Sequence, residues 1–151
     1  MAKKGPGAKA RNTQKQEPMV ALYGLDGGTP RGDAVRAIMR DLGIRVRTIE
    51  PKHLGNPVGA VAGMPGMRPS RSPYTAAAPH DEFMLVCPMP NALLSEMLAA
   101  MREANVSIAH KAQVTVHNRL WPIHVLMAEI AKEHAAMVQS VREPEPNDPQ
   151  A

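Results

Sequence analysis

The stretch KAQVTVHNRLWPIHVLMAEIAKEH, Lys111 to His134, holds three of the chain's six histidines, its single tryptophan and two glutamates, Glu129 and Glu133, about one helical turn apart. Histidine and glutamate together suggest zinc. Two ligands on one helix converge on a metal when they stand three or four residues apart. His117, His124 and His134 are spaced by seven and ten residues, and on a helix the last two point about 280° apart around the axis. Glu129 and His134, five apart, converge no better. Glu129 and Glu133 share a face that Lys132 and solvent account for. The spacing predicts no metal site.

Lys111, Thr115 and Asn118 are better placed for chemistry. Lys111 and Thr115 fall on the polar side of a strand, and Asn118 lies in the joint behind it. Thr115 and Asn118 can bond the free amides at the start of the next helix, with Trp121 packed at its base. The same polar groups at a strand end can hold a small anion. A second candidate is GLDGGTPRG, Gly24 to Gly32. Amides of Gly27, Gly28 and Thr29 at a helix start, with the Arg31 guanidinium, suit a phosphate or carboxylate. The spacing matches neither the dinucleotide nor the P-loop fingerprint, and an ordinary capped turn is the competing reading. Cys87 ends an apolar run before Pro88 and reads as a small core residue rather than a nucleophile. No nucleophile, base and substrate can be named together and no cofactor is implied, so the reading leans away from an enzyme.

The chain that carries these residues has 151 positions and a net charge of +4. Residues 1–18 have no large apolar side chain after Met1, and residues 143–151 have none. Neither end can offset the entropy of being ordered. They predict a disordered basic arm and a disordered acidic tail around one α/β domain, residues 19–142. Lys3, Lys4, Lys9, Arg11 and Lys15, less Glu17, give the arm +4; the tail carries −3, which leaves +3 for the domain. Such an arm can touch nucleic acid in a salt-sensitive way, although positive charges without aromatics are a weak signal. Met1 to Pro18 lacks the apolar core of a secretory signal, and no apolar run approaches the roughly 18 residues of a membrane span. One cysteine excludes an intramolecular disulfide and fits a reducing cytoplasm. With 3% aromatics and 11 methionines, the core is expected to be aliphatic and pliable.

The elements that position these residues follow from periodicity. MVALYGL (Met19–Leu25) reads as a buried strand. In TPRGDAVRAIMRDLG, Val35, Ile38, Met39 and Leu42 share a helix face, with Thr29 as cap, Pro30 first and Gly43 as terminator. IRVRTI (Ile44–Ile49) alternates as a half-exposed strand. About 50–81 is a flexible Pro/Gly-rich loop with a short helical turn near HLGNPVGAVAG. FMLVC is a second continuous strand. PNALLSEMLAAMREAN is a helix capped by Asn91 and ended by Asn105. VSIAHKAQVTV alternates, and WPIHVLMAEIAKEHAAMVQSV is a helix with Ile123, Met127, Ile130, Met137 and Val141 inward. The order is β-α-β-β-α-β-α. The wholly apolar first and third strands belong in the centre of a four-stranded sheet. The expected fold is α/β of the α+β kind, ferredoxin-like in strand order 4-1-3-2, with an added C-terminal helix. A small doubly wound parallel sheet, order 2-1-3-4, is the alternative and would need a crossover through the Pro/Gly-rich loop. In either case the last helix covers the second sheet face, which left bare would invite a dimer.

The pattern KA..T..N..W.......E...EH, made by Lys111, Ala112, Thr115, Asn118, Trp121, Glu129, Glu133 and His134, resembles the C-terminal motif of the DUF3783 family, small bacterial and archaeal proteins of unknown function. FMLVC and LLSEMLAAM resemble the strand and helix ahead of that motif, and VGAVAGM (Val58–Met64) resembles a stretch of its front half. The resemblance runs from about Val20 to Met137. It departs at His110, where an aliphatic residue is usual, and at Pro65–Pro79, which looks like an insertion. It implies one fold and transfers no catalytic residue. The expected function is a non-catalytic module for a protein partner, a second copy of itself or a small ligand. The alternatives are an anion or nucleotide-phosphate site at the Gly-rich turn, and nucleic-acid contact through the arm.

Overall fold

The computed structural model describes residues 17–142. The predicted arm, with Lys3, Lys4, Lys9, Arg11 and Lys15, and the predicted acidic tail lie outside the described residues, apart from Glu17 and Pro18. A four-stranded sheet forms the middle layer: β1 (Met19–Tyr23), β2 (Arg45–Ile49), β3 (Phe83–Val86) and β4 (Lys111–Gln113). Every residue of β1 and β3 is buried, and the order β2-β1-β3-β4 puts both in the centre.

Successive side chains of a strand point to opposite faces, so these two strands feed two separate cores. Val20, Leu22, Met84 and Val86 pack with Val35 and Met39 of α1 (Pro30–Asp41) and Met97 and Met101 of α3 (Asn91–Glu103). On the other face Ala21, Tyr23, Phe83 and Leu85 pack with Val58 and Val61 of α2 (Val58–Val61) and with Ile123, Leu126 and Met127 of α4 (Ile123–Arg142). Helices therefore cover both faces of the sheet.

The α+β class, the four strands and the central place of the first and third are as the sequence predicts. The ferredoxin-like strand order is not. β1 pairs parallel with β2, β3 pairs parallel with β4, and β1 meets β3 antiparallel, Val20 opposite Val86 and Tyr23 opposite Phe83. The order is that of the doubly wound alternative, but the sheet is mixed rather than parallel. The cause lies in the segment after β2. Ile49 and Phe83 both flank Tyr23, so β2 ends and β3 begins at the same end of the sheet. No crossover helix is needed. The segment folds over the second face instead, as a 3-10 turn (Pro51–His53), α2 and a strap. Tyr74 N–H donates to Lys52 O at 3.1 Å and the Tyr23 hydroxyl donates to Pro79 O at 2.8 Å, which pins the strap.

Two boundaries also differ. Of Val106–Val116, read as a strand, only Lys111–Gln113 pairs; Val106 and Ile108 plug the first core from the joint before β4. Asn91 is the first residue of α3 rather than its cap, and Pro90 takes the cap position without a side-chain bond.

The two halves repeat one another, which periodicity did not reveal. AIMRDLGI (37–44) and AAMREANV (99–106) end α1 and α3 alike. Ile44 N–H bonds Met39 O at 2.8 Å and Val106 N–H bonds Met101 O at 3.0 Å, around Gly43 (φ 74°) and Asn105 (φ 62°). Both are left-handed helix terminators. A second seam is reciprocal. Val58 N–H donates to Trp121 O (2.8 Å) and Ile123 N–H to Asn56 O (2.9 Å); Gly59 N–H donates to Arg119 O (2.8 Å) and His124 N–H to Leu54 O (2.9 Å). Pro57 bridges Pro122 between them. Two β-α-β units thus face each other across an approximate two-fold axis.

The terminators offer a direct test. A Cβ at Gly43 would meet nothing within 4 Å, so Gly43→Ala isolates backbone strain. It should cost about 1–2 kcal/mol, whereas Asn105→Gly should be neutral or stabilising by less than about 1 kcal/mol. Urea unfolding followed by Trp121 fluorescence measures both.

Candidate functional site

The Gly-rich turn closes on itself. Thr29 Oγ1 accepts from Gly32 N–H at 3.1 Å and donates to Asp26 O at 2.7 Å, so the predicted cap is real. Gly32 is needed for contact: a Cβ there would lie 2.0 Å from Asp26 O. Gly28 N–H donates to Asp33 Oδ1 at 2.8 Å, so the carboxylate of the chain itself sits where an anion would. Arg31 makes a two-pronged bond to Glu82, 2.7 Å on each arm, and a third to Ser107 O at 3.0 Å. Its bond with Glu82 raises the guanidinium pKa further. Arg36, which the sequence reading passed over, donates to Leu25 O at 3.1 and 3.0 Å and to Thr48 Oγ1 at 2.9 Å. It ties the end of β1 to β2.

Lys111, Thr115 and Asn118 are committed to the backbone of the edge strand. Lys111 Nζ donates to Ile108 O at 2.6 Å. Asn118, the one buried polar side chain among the described residues, accepts from Thr115 N–H and donates to Gln113 O, both at 2.9 Å. Its carboxamide takes up polar groups at the end of β4 and just past it, where pairing to β3 stops, much as another strand would. Thr115 Oγ1 accepts from His117 and Asn118 N–H at 3.1 Å. These are amides of the joint. The expected bonds to the start of α4 are not made, because Ile123 and His124 N–H are taken by Asn56 and Leu54 O. Trp121 is likewise anchored by its backbone, and the residue is 36% exposed, so part of its surface stays in solvent. Arg31 and Lys111 meet at the carbonyls of Ser107 and Ile108, while Thr115 and Asn118 lie past the other end of β4. The seven candidate residues do not form one pocket.

Three of the histidines make ring contacts. His110 meets His134 with centroids 4.9 Å apart, and His124 meets Tyr74 at 4.7 Å. Among the described residues no three His, Cys, Asp or Glu side chains are placed to hold a metal ion. A cleft of about 160 Å³ beside them is lined by Phe83, His110, His124, Met127 and the strap. Burial pushes the Cys87 thiol up to about 12, against a smaller lowering by Arg47. That thiol is a core group, as the sequence suggests.

What the sequence reading missed is apolar. The exposed large hydrophobic side chains among the described residues are Val116, Leu120, Trp121, Val125, Met137 and Val138. All belong to α4 or its approach. Met137 was expected inward but is 64% exposed. A 20-residue helix is about 30 Å long and a five-residue strand about 17 Å, so α4 must overrun the sheet. The mismatch in lengths was the available signal.

Residues 82–137 match the family model described as a domain of unknown function (DUF3783). The match begins just before β3 and runs into α4, so it covers the second of the two repeats. No curated protein and no solved structure matches the chain. No helix among the described residues is long and apolar enough to cross a membrane.

Asn118→Ala removes two part-buried hydrogen bonds, to Thr115 N–H and Gln113 O, and should cost about 1–2 kcal/mol. Asn118→Asp keeps the acceptor for Thr115 and should recover part of that loss in urea unfolding. Cys87 sets a pH dependence. The unfolded thiol releases its proton near its ordinary 9.0 while the folded thiol holds it to about 12. The folded state then binds more protons, and stability should fall as pH rises through that window. Cys87→Ala should lose this part of the slope in pH-dependent melting.

Proposed function

We propose that the chain is a non-catalytic, partner-binding module whose docking face is the outer side of α4 with the loop that leads into it. The carrying observation is the confinement of exposed hydrophobics to Val116–Val138 on a fold whose sheet is otherwise covered. Exposed apolar side chains gathered on one segment, with Val116, Leu120, Trp121 and Val125 close together in sequence, suit an association site, and an exposed tryptophan suits an interface anchor. The Gly-rich turn is the weaker reading, since an anion there would have to displace Asp33 from Gly28 and draw Arg31 from Glu82. Contact with nucleic acid through Lys3, Lys4, Lys9, Arg11 and Lys15 concerns residues outside those described.

Leu120→Asp with Val125→Asp tests the face. Both side chains are exposed, so the unfolding free energy should stay within about 0.5 kcal/mol of wild type. Tagged wild-type chain should retain bound protein that the double variant loses. Equal retention by two equally stable chains would overturn the reading.

A further inference from the structure

The docking face carries a charge pattern that selects its partner. Trp121 just before α4, and Val125, Ala128, Lys132 and Ala136 along it, are all exposed and recur every three or four residues. They make one stripe on the outer side of the helix, with Ala128 at its edge beside the cleft lined by Phe83 and His110. Half-buried Glu129 flanks that stripe at its middle, three residues from Lys132 and of opposite sign. Neither charge has an ion pair among the described residues.

We infer that the partner is a second copy of this chain, packed antiparallel along α4 about a two-fold axis near the middle of the helix. An antiparallel two-fold turns one pair of opposite charges into two. Glu129 of each copy meets Lys132 of the other, whereas a parallel two-fold would set Glu129 against Glu129. The same turn lays Val125 over Ala136 of the other copy, a large side chain over a small one, and carries the Trp121 ring toward the far end of its α4. Such an interface is self-complementary and closes at two copies. A foreign partner with one sign of charge would be repelled by one of the two groups at the centre of the stripe. The inference rests on the outer side of α4 being the docking face.

Sedimentation velocity on the full chain, over a wide range of concentration, tests it. Wild type should dimerise. Lys132→Glu sets two like-charge contacts at the centre and should raise the dimer dissociation constant by at least about tenfold. Adding Glu129→Lys to it should restore the dimer, and Trp121 emission should shift to the red wherever the dimer dissociates. Melting curves show whether each variant stays folded. A wild-type chain that is monomeric throughout overturns the inference, as does a dimer indifferent to Lys132→Glu or one that the double reversal fails to restore. If the chain is monomeric yet Leu120→Asp/Val125→Asp still loses bound protein, the docking face stands and only the second copy falls.

Discussion

The antiparallel seam between β1 and β3 is the contact from which the rest of the structure follows. Every residue of both strands is buried, so their amides and carbonyls have no access to water and must pair with one another. Because side chains of both strands point to both faces, each face needs its own cover. The α1–α3 layer supplies one, and α2, α4 and the strap supply the other. The seam also relates the two β-α-β units by an approximate two-fold. The reciprocal bonds around Pro57 and Pro122 then follow as a second seam under the same symmetry.

Short strands leave many polar groups near their ends, and this determines what the conspicuous polar residues do. Arg36 holds the carbonyl just after β1, Asn118 holds the polar groups at the end of β4 and just past it, and Lys111 and Arg31 hold successive carbonyls in the joint before it. Each of these bonds keeps a backbone group near a strand end paired, in part-buried or exposed surroundings. Lys111, Thr115 and Asn118 thus each have backbone partners within the fold. Their types alone could not separate that use from ligand binding, because both ask for the same donors and acceptors at a strand end.

The elements were legible where their signal is local. MVALY and FMLV read as central strands because they are apolar without a break, and Thr29, Gly43 and Asn105 marked helix ends through their own side chains or backbone preferences. The strand order was not, since nothing near Val20 or Val86 says which way the other strand runs. The repeat was hidden by unequal connections: the joints after α1 and α3 differ in length, and α2 has 4 residues where α4 has 20. The role of Asn118 depends on β4 stopping at Gln113, which is a property of the whole sheet. The exposure of Met137 was hidden by its own periodicity, because it continues the inward stripe of α4 past the point where there is a sheet to meet it.

Where the two repeats agree, the shared features have a structural account: paired strands, a helix on one face and a left-handed terminator. Function is better sought where they differ. The first repeat follows β2 with a single helical turn and then spends its chain on the strap, which closes the second core. The second repeat, the one that matches the DUF3783 model, follows β4 with a helix that completes the same core within its first two turns and then continues. The further turns bring His134 against His110 but add no large apolar side chain to the buried core of the described residues. They carry exposed Met137 and Val138 on the side that faces the sheet earlier in α4, surface that is unfavourable in water unless something covers it. The asymmetry between α2 and α4 is thus the largest departure from the internal two-fold, and a second copy packed along the outer stripe of α4 would give its added length a use that the domain's own core does not.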